Sequence, residues 1–432
     1  MKKNILLFIL VILPFTLSGC SGKGGGATAT VTVTPVTIST TALPDGTLNT
    51  AYNVTLVATG GTTPYIWTIT SGSLPSGLAV DPNTGVISGT PGTGEIATFT
   101  VKVTDSSQPA KTATQNLSVT IDIPLTARQA AARNTVASNA YCSPATLGDF
   151  YWEIGDANGT LVFGNVGTTY SSSTPMDIAS ASKFIFGAYV VENFKTDISS
   201  ANAQAMRMGS GYVSLDYTSC VGAANVDACF HATHFLKSNS DFTPADAGDF
   251  YYNGGHFQAY ADQVLNLGPL DSVGLAAEMK NKLGQELNIA YGSPQLAAGV
   301  NMSAADYAQF LRKIISGGLA IKDHLGEDPV CTYNVNGNCP TAVYSPASPY
   351  QWHYSWGHWI EDDPSNGDDG AFSSPGAFGF YPWIDSSKQY YGILARKVGS
   401  IDISNGTVVQ AYKQSVMCGR LVRKAFLTGV AQ

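Results

Sequence analysis

The chain of 432 residues is longer than one hydrophobic core usually organises, so two or three domains are expected. Charged residues make up only 12% of it, about half the usual share, yet 44% hydrophobic and 10% aromatic content excludes a disordered chain. A net charge of −8 without any cluster of Lys and Arg excludes a phosphate-backbone partner, so nucleic acid is set aside. The N-terminus carries Lys2 and Lys3, an apolar stretch from Ile5 to about Leu17, and then small residues. That run is too short for a membrane-spanning helix, and its order of charged, apolar and small residues is that of an export signal.

The end of this signal, Leu17-Ser18-Gly19-Cys20, resembles the lipobox of bacterial lipoproteins. The resemblance implies that residues 1–19 are removed and that Cys20 is lipidated, which holds the protein to a membrane. Ser21 in place of Asp implies the outer membrane, on its periplasmic or outer face. Residues 20–35 are rich in Gly and Thr and read as a flexible tether.

Residues 36–123 alternate β-branched and polar residues in short runs such as YNVTLVAT and ATFTVKVTD, punctuated by the turn signals LPDG, DPNTG and GTPGTG. This is the rhythm of an all-β antiparallel sandwich. The stretch GSLPSGLAVDPNTGVISGTPG resembles the immunoglobulin-like repeat of bacterial surface proteins. Tyr65 and Trp67 share one face of a strand, where burial in the core is the preferred reading over a platform for a glycan or protein ligand. A spacer lifting the next domain off the membrane is the expected role of the sandwich.

IDIPLTARQ marks a boundary, and residues 126–432 are of mixed α and β type. LTARQAAARNTVASNAY reads as a helix, FYWEIGDANGTLVFGN as a hairpin turning at Asn158-Gly159, and SAADYAQFLRKIISGG as an amphipathic helix stopped by Gly317-Gly318. Strands are expected at YSWGHWIED, GAFGFYPWID and YYGILARKV, and a long closing helix at VVQAYKQSVMCGRLVRKAFL. Beyond Cys20 there are six cysteines, with no CxxC pair and no metal spacing, so disulfides are favoured over zinc. Cys220 with Cys229 and Cys331 with Cys339 would close short loops, leaving Cys142 to meet Cys418, although six cysteines allow fifteen connectivities.

Chemistry is sought at Ser180-Ala181-Ser182-Lys183. Residues three apart share a helix face, so the Lys183 amine can reach the Ser180 hydroxyl while Ser182 faces elsewhere. The apolar run FIFGAYVV that follows buries the helix. Burial and the positive helix end both disfavour the ammonium form, so a neutral Lys183 can take a proton from Ser180. By itself such a match is expected about once by chance. There is no Gly-x-Ser-x-Gly elbow, and His231 and His234 in HATH lack the Glu of a zinc protease. DDPSNGDDG, from Asp362 to Gly370, has Pro364 and no closing Glu, which reads as a solvated acidic turn and not a calcium loop.

A second element, FYYNGGHFQAYA, sets Tyr251 and Asn253 around Tyr252. With Ser180 and Lys183 it resembles the serine β-lactamase and penicillin-binding protein superfamily, in the branch of class C enzymes and related esterases and amidases. The resemblance runs from about residue 126 to the end. It implies an α+β domain, with an antiparallel sheet flanked by helices plus a helical lobe, working without cofactor or metal. By it, Lys183 with Tyr251 takes the Ser180 proton, Ser180 attacks a carbonyl, and the backbone N–H groups of Ser180 and Ala377 hold the oxyanion. Tyr251 passes the proton to the leaving group, and Asn253 orients Lys183 and the acyl chain. His256 is a candidate for lining the pocket. The third element departs from the pattern: Ser374-Pro375-Gly376 stands where relatives carry a cationic Lys-Thr-Gly or His-x-Gly. Ser374 and Gly376 are then substrate-binding candidates without a charge. The expected function is a lipid-anchored serine hydrolase of an uncharged ester or amide, ranked above a β-lactamase or D-alanyl-D-alanine peptidase and above a non-catalytic surface scaffold.

Overall fold

A computed structural model describes residues 34–195, 200–398 and 407–432. The export signal, Cys20 and most of the tether lie outside these residues. Among them, no helix is long and apolar enough to cross a membrane.

The N-terminal part is a β-rich domain of two main sheets. One has the order Gly46–Thr47, Thr112–Asp122, Ile96–Thr104, Ile66–Gly72, and the other Tyr52–Thr55, Val86–Gly89, Leu78–Val80. Alternation dictates the core: Ala97, Phe99, Val101 and Val103 point inward from one strand, and Leu117, Val119 and Ile121 from its neighbour. Trp67 joins them, 3% exposed, so it is a core residue, and Tyr65 packs at the edge with its hydroxyl on the Gly60 carbonyl. The pairing departs from a purely antiparallel sandwich at Gly46–Thr47, which lies parallel to Thr112–Asp122.

The larger domain opens with helix α1 (Leu125–Ser138) and closes with α6 (Thr407–Thr428), which pack together. Between them runs an eight-stranded sheet of β1 (Phe150–Asp156), β2 (Gly159–Val166), β3 (Val330–Cys331), β4 (His353–Ser355), β5 (His358–Glu361), β6 (Ala371–Ser373), β7 (Tyr381–Ile384) and β8 (Tyr391–Ala395). Its order is β2-β1-β8-β7-β6-β5-β4-β3, and every pairing is antiparallel. The β1–β2 turn falls at Ala157-Asn158, one residue earlier than expected, because the Asp156 carboxylate accepts the N–H groups of Asn158 and Gly159 and ends the strand there.

Helices α2 (Ser182–Phe194), α3 (Gly255–Gln263), α4 (Ser272–Leu283) and α5 (Ala304–Ile315) complete the domain. Ser303 caps α5 by accepting the Asp306 N–H, and Gly317, at φ 81°, ends its last turn as the sequence predicts. Every residue of α2 from Ser182 to Val191 is buried. Two glycines let it seat on the β4–β5 turn: a Cβ on Gly187 would stand 2.2 Å from the Trp356 carbonyl, and one on Gly357 would stand 2.4 Å from the Lys183 carbonyl. The helix backbone therefore touches the turn directly, and Lys183 is held from below.

Cys142–Cys418, Cys220–Cys229 and Cys331–Cys339 are paired. The first ties the 3-10 turn just after α1, Ala140–Cys142, to α6 across 276 residues. The acidic turn is largely solvated, as expected, with Asp362, residues 364–367 and Asp369 exposed, but it is also tied to the core. Asp363 is 1% exposed, Asp369 pairs with Arg423, and Arg423 also reaches Glu361 and the Tyr381 hydroxyl, because a buried guanidinium needs this many acceptors.

Candidate active site

Ser180 lies in a short 3-10 turn, Ala179–Ala181, that runs into α2. Ala179 sits at φ 46°, a left-handed conformation unusual for a residue with a Cβ, and one that persists only when its surroundings enforce it. Those surroundings are explicit. Ile178 donates its N–H to Val300, Tyr307 donates its hydroxyl to the Ala181 carbonyl, and Ser182 accepts the Val300 N–H. On the other side Gly376 lies so close that a Cβ there would stand 2.1 Å from the Ile178 carbonyl. The nucleophile candidate is thus clamped between a small three-stranded sheet and the segment after β6.

Lys183 Nζ stands 2.9 Å from Ser180 Oγ and 3.1 Å from the Ala297 carbonyl. The side chain is 4% exposed and, among the described residues, forms no ion pair. Burial without a counter-charge pushes its pKa down to about 7. A neutral amine in this position can donate to Ala297 and accept the Ser180 proton at the same time.

The tyrosine beside this pair is Tyr252. Its ring lies 4.7 Å from Lys183 Nζ and stacks on Trp359 at 5.2 Å, and it borders the same clefts as Ser180. Burial pushes the phenol up to about 12, partly opposed by the nearby Ser180 hydroxyl. Tyr251, expected at this place, instead packs its ring against Tyr344 at 5.4 Å. The reason is strand parity. Phe250 enters the core against Tyr354 and Trp359, and the residue two places on, Tyr252, meets the same two rings. Phe250 was the signal in the sequence, since a buried apolar anchor fixes which neighbour shares its face.

The other predicted positions divide. Asn253 lines the cleft with Lys183, but among the described residues it makes no hydrogen bond to it; it donates to the Leu215 carbonyl and accepts the Gly255 N–H at the start of α3. The orienting contact to Lys183 comes from the Ala297 carbonyl instead, which no sequence motif marks. His256 does not line the cleft. It is fully buried, accepts the Ser210 N–H at Nδ1 and donates from Nε2 to the Tyr251 carbonyl, and burial pushes its pKa down to about 4. Ser374 is 2% exposed and spends its hydroxyl on the Ser180 carbonyl, and Gly376 donates its N–H to Phe380, so both serve the frame of the site. Ala377 does line the cleft, and among the described residues its N–H makes no backbone hydrogen bond. Elsewhere, exposed His231 groups with Asp227 and Asp262 within 4.8 Å, and His234 pairs with Asp216.

Two clefts meet at Ser180, Tyr252 and Ala377. One, of about 240 Å³, is bordered by Lys183, Asn253, Tyr217 and Gln295, and the other, of about 200 Å³, by Tyr344, Trp359 and Tyr412.

Comparison with known proteins assigns the first domain. Residues 34–122 match the family described as "Putative Ig domain". The immunoglobulin-like domain therefore covers nearly the whole of the β-rich region. No curated protein is significantly similar to the chain. Among solved structures, simvastatin synthase from Aspergillus terreus is 12% identical over 70% of this chain and 99% of its own, with a TM-score of 0.46. A protein titled putative beta-lactamase from Bacteroides dorei is 18% identical over 67% of this chain and 97% of its own, with a TM-score of 0.44. A beta-lactamase from Mycobacterium bovis is 11% identical over 68% and 99%, also at 0.44.

Proposed function

We propose that the protein is a cell-envelope serine hydrolase that cleaves an uncharged ester or amide through an acyl-enzyme, with its immunoglobulin-like domain as spacer and Cys20 as lipid anchor. The observation that carries this reading is the 2.9 Å contact between Ser180 Oγ and a lysine amine whose pKa is pushed down to about 7. Lys183 takes the hydroxyl proton as Ser180 attacks the carbonyl, and the backbone N–H groups of Ser180 and Ala377 face the developing oxyanion. Tyr252 holds its proton at neutral pH, so its part is to donate, first to steady the Ser180 oxygen and then to hand a proton to the leaving group while recovering one from Lys183. Water, activated by the same pair, then releases the acid.

The absence of a cation where Ser374 stands ranks lactam hydrolysis and D-peptide cleavage below this reading, and Ser374 is in any case occupied with the Ser180 carbonyl. The test is a fluorophosphonate probe followed by mass spectrometry. A covalent adduct on Ser180, lost in Ser180→Ala and Lys183→Ala, is expected. An unlabelled protein is a scaffold, and rapid turnover of a chromogenic cephalosporin or stable acylation by labelled penicillin would reverse the ranking of substrates.

A further inference from the structure

The two clefts at Ser180 differ in chemistry. The Lys183 side offers hydrogen-bonding groups from Asn253, Tyr217 and Gln295. The other side is bordered by Tyr344, Pro346, Trp352, Trp359, Pro375 and Tyr412, with no ionised side chain among its lining residues. This second cleft is a braced structure. The segment carrying Tyr344 pairs with Phe250–Tyr251, the Tyr412 hydroxyl and Lys413 amine hold the carbonyls of Pro346 and Ser348, and Cys331–Cys339 closes the loop before it. Both clefts open at Ser180, so a substrate whose carbonyl meets Ser180 has its acyl and leaving-group sides directed into different clefts.

Resting on the proposed hydrolase reading, we infer that the substrate class is esters or amides whose leaving group is a neutral aromatic alcohol or amine, seated in the Tyr344–Trp359–Tyr412 cleft. The proton path sets the orientation. Tyr252 stands at the junction of the two clefts, with Lys183 and Asn253 bordering only one side and Trp359, on which the Tyr252 ring stacks, bordering only the other, so a proton recovered from Lys183 passes through Tyr252 toward the aromatic side. Flat aromatic faces gain from stacking against such a lining. A carboxylate there would lose its hydration and meet no cation, which disfavours anionic leaving groups.

The test compares acetate esters of alcohols of similar acidity, so that intrinsic reactivity does not set the order. For the full-length protein, benzyl acetate is expected to exceed 2-methoxyethyl acetate in kcat/KM by about tenfold or more, and 4-carboxybenzyl acetate to fall about tenfold below benzyl acetate. In Tyr344→Ala, whose side chain is half-exposed, and in Ala347→Gln, which fills the cleft, the benzyl preference is expected to shrink at least about threefold. A benzyl preference that is absent, or unchanged in both variants, overturns the inference while Ser180 still labels with fluorophosphonate. If Ser180 does not label, the hydrolase reading fails first and takes the inference with it.

Discussion

The Nε2 atom of His256 lies 2.8 Å from the carbonyl oxygen of Tyr251, one residue before the tyrosine that meets Ser180. A buried, neutral imidazole, itself held by the Ser210 N–H, thereby pins the backbone at the point where Phe250 and Tyr252 turn inward and Tyr251 turns out. It follows that the two adjacent tyrosines are unequal. Tyr252→Phe is expected to lower kcat/KM for ester hydrolysis by about 10²–10⁴-fold, the usual range for loss of a positioned proton donor, and Tyr251→Phe to change it by less than about threefold. Steady-state kinetics of the two variants side by side decide this, and the reverse order would return the role to Tyr251.

Acylation should rise with pH through the Lys183 titration. The reactive form is the neutral amine, so the rate is low below pH 7, half-developed near the value of about 7, and level above it. Pre-steady-state acylation by a neutral ester, measured from pH 5.5 to 8.5, checks the sign. A rate falling over that range would rule out Lys183 as the base.

The same burial makes Lys183 a liability for stability. Between pH 7 and its ordinary 10.5 the unfolded chain holds a proton on this group that the native state does not, so stability rises with pH in that window and the full cost remains below it. Lys183→Met fills a similar volume without the charge. It should abolish activity yet raise the melting temperature at pH 7 by about 2–4 °C or more. A drop in melting temperature, read by differential scanning fluorimetry, would show that the contacts to Ser180 and Ala297 outweigh the burial of the amine.

His256 and His358 are both fully buried and pushed down from 6.5 to about 4. As pH falls from 6.5 toward 4 the unfolded chain gains these protons and the native state does not, so stability falls across that window. Urea midpoints at pH 6.5 and pH 5 should show the loss, and His358→Gln should reduce it. An unchanged pH dependence in that variant would mean that the imidazole is charged in the native protein.

Reduction of Cys142–Cys418 should be felt globally. It joins the turn after α1 to α6 across 276 residues, and removing it as Cys142→Ser with Cys418→Ser should cost about 2–5 kcal/mol. Denaturant unfolding of the double variant measures this. A change confined to fraying of α6, seen by hydrogen exchange with an unaltered midpoint, would show instead that helix packing alone holds the two ends.

The sequence by itself determined the division into a β-rich domain and a larger mixed domain, because alternation and helical periodicity are local properties of the chain. It also marked Ser180 and Lys183, since a spacing of three across the 3-10 turn that enters a buried helix keeps an amine within reach of a hydroxyl. The cysteine pairs were legible for a related reason: two close short loops, and the remaining pair had to span the domain. Which tyrosine faces Ser180 was decided only by tertiary structure. A one-residue change of strand parity exchanges Tyr251 for Tyr252, and that parity is set by Phe250 packing against Tyr354 and Trp359 from far along the chain. The partner of Lys183, the Ala297 carbonyl, is a backbone atom and carries no residue signature. The role of Ser374 and the pairing of the exposed Asp369 with Arg423 carry no local signature for the same reason, since whether Ser374 meets substrate or the Ser180 carbonyl depends on which distant segments the folded chain lays against it.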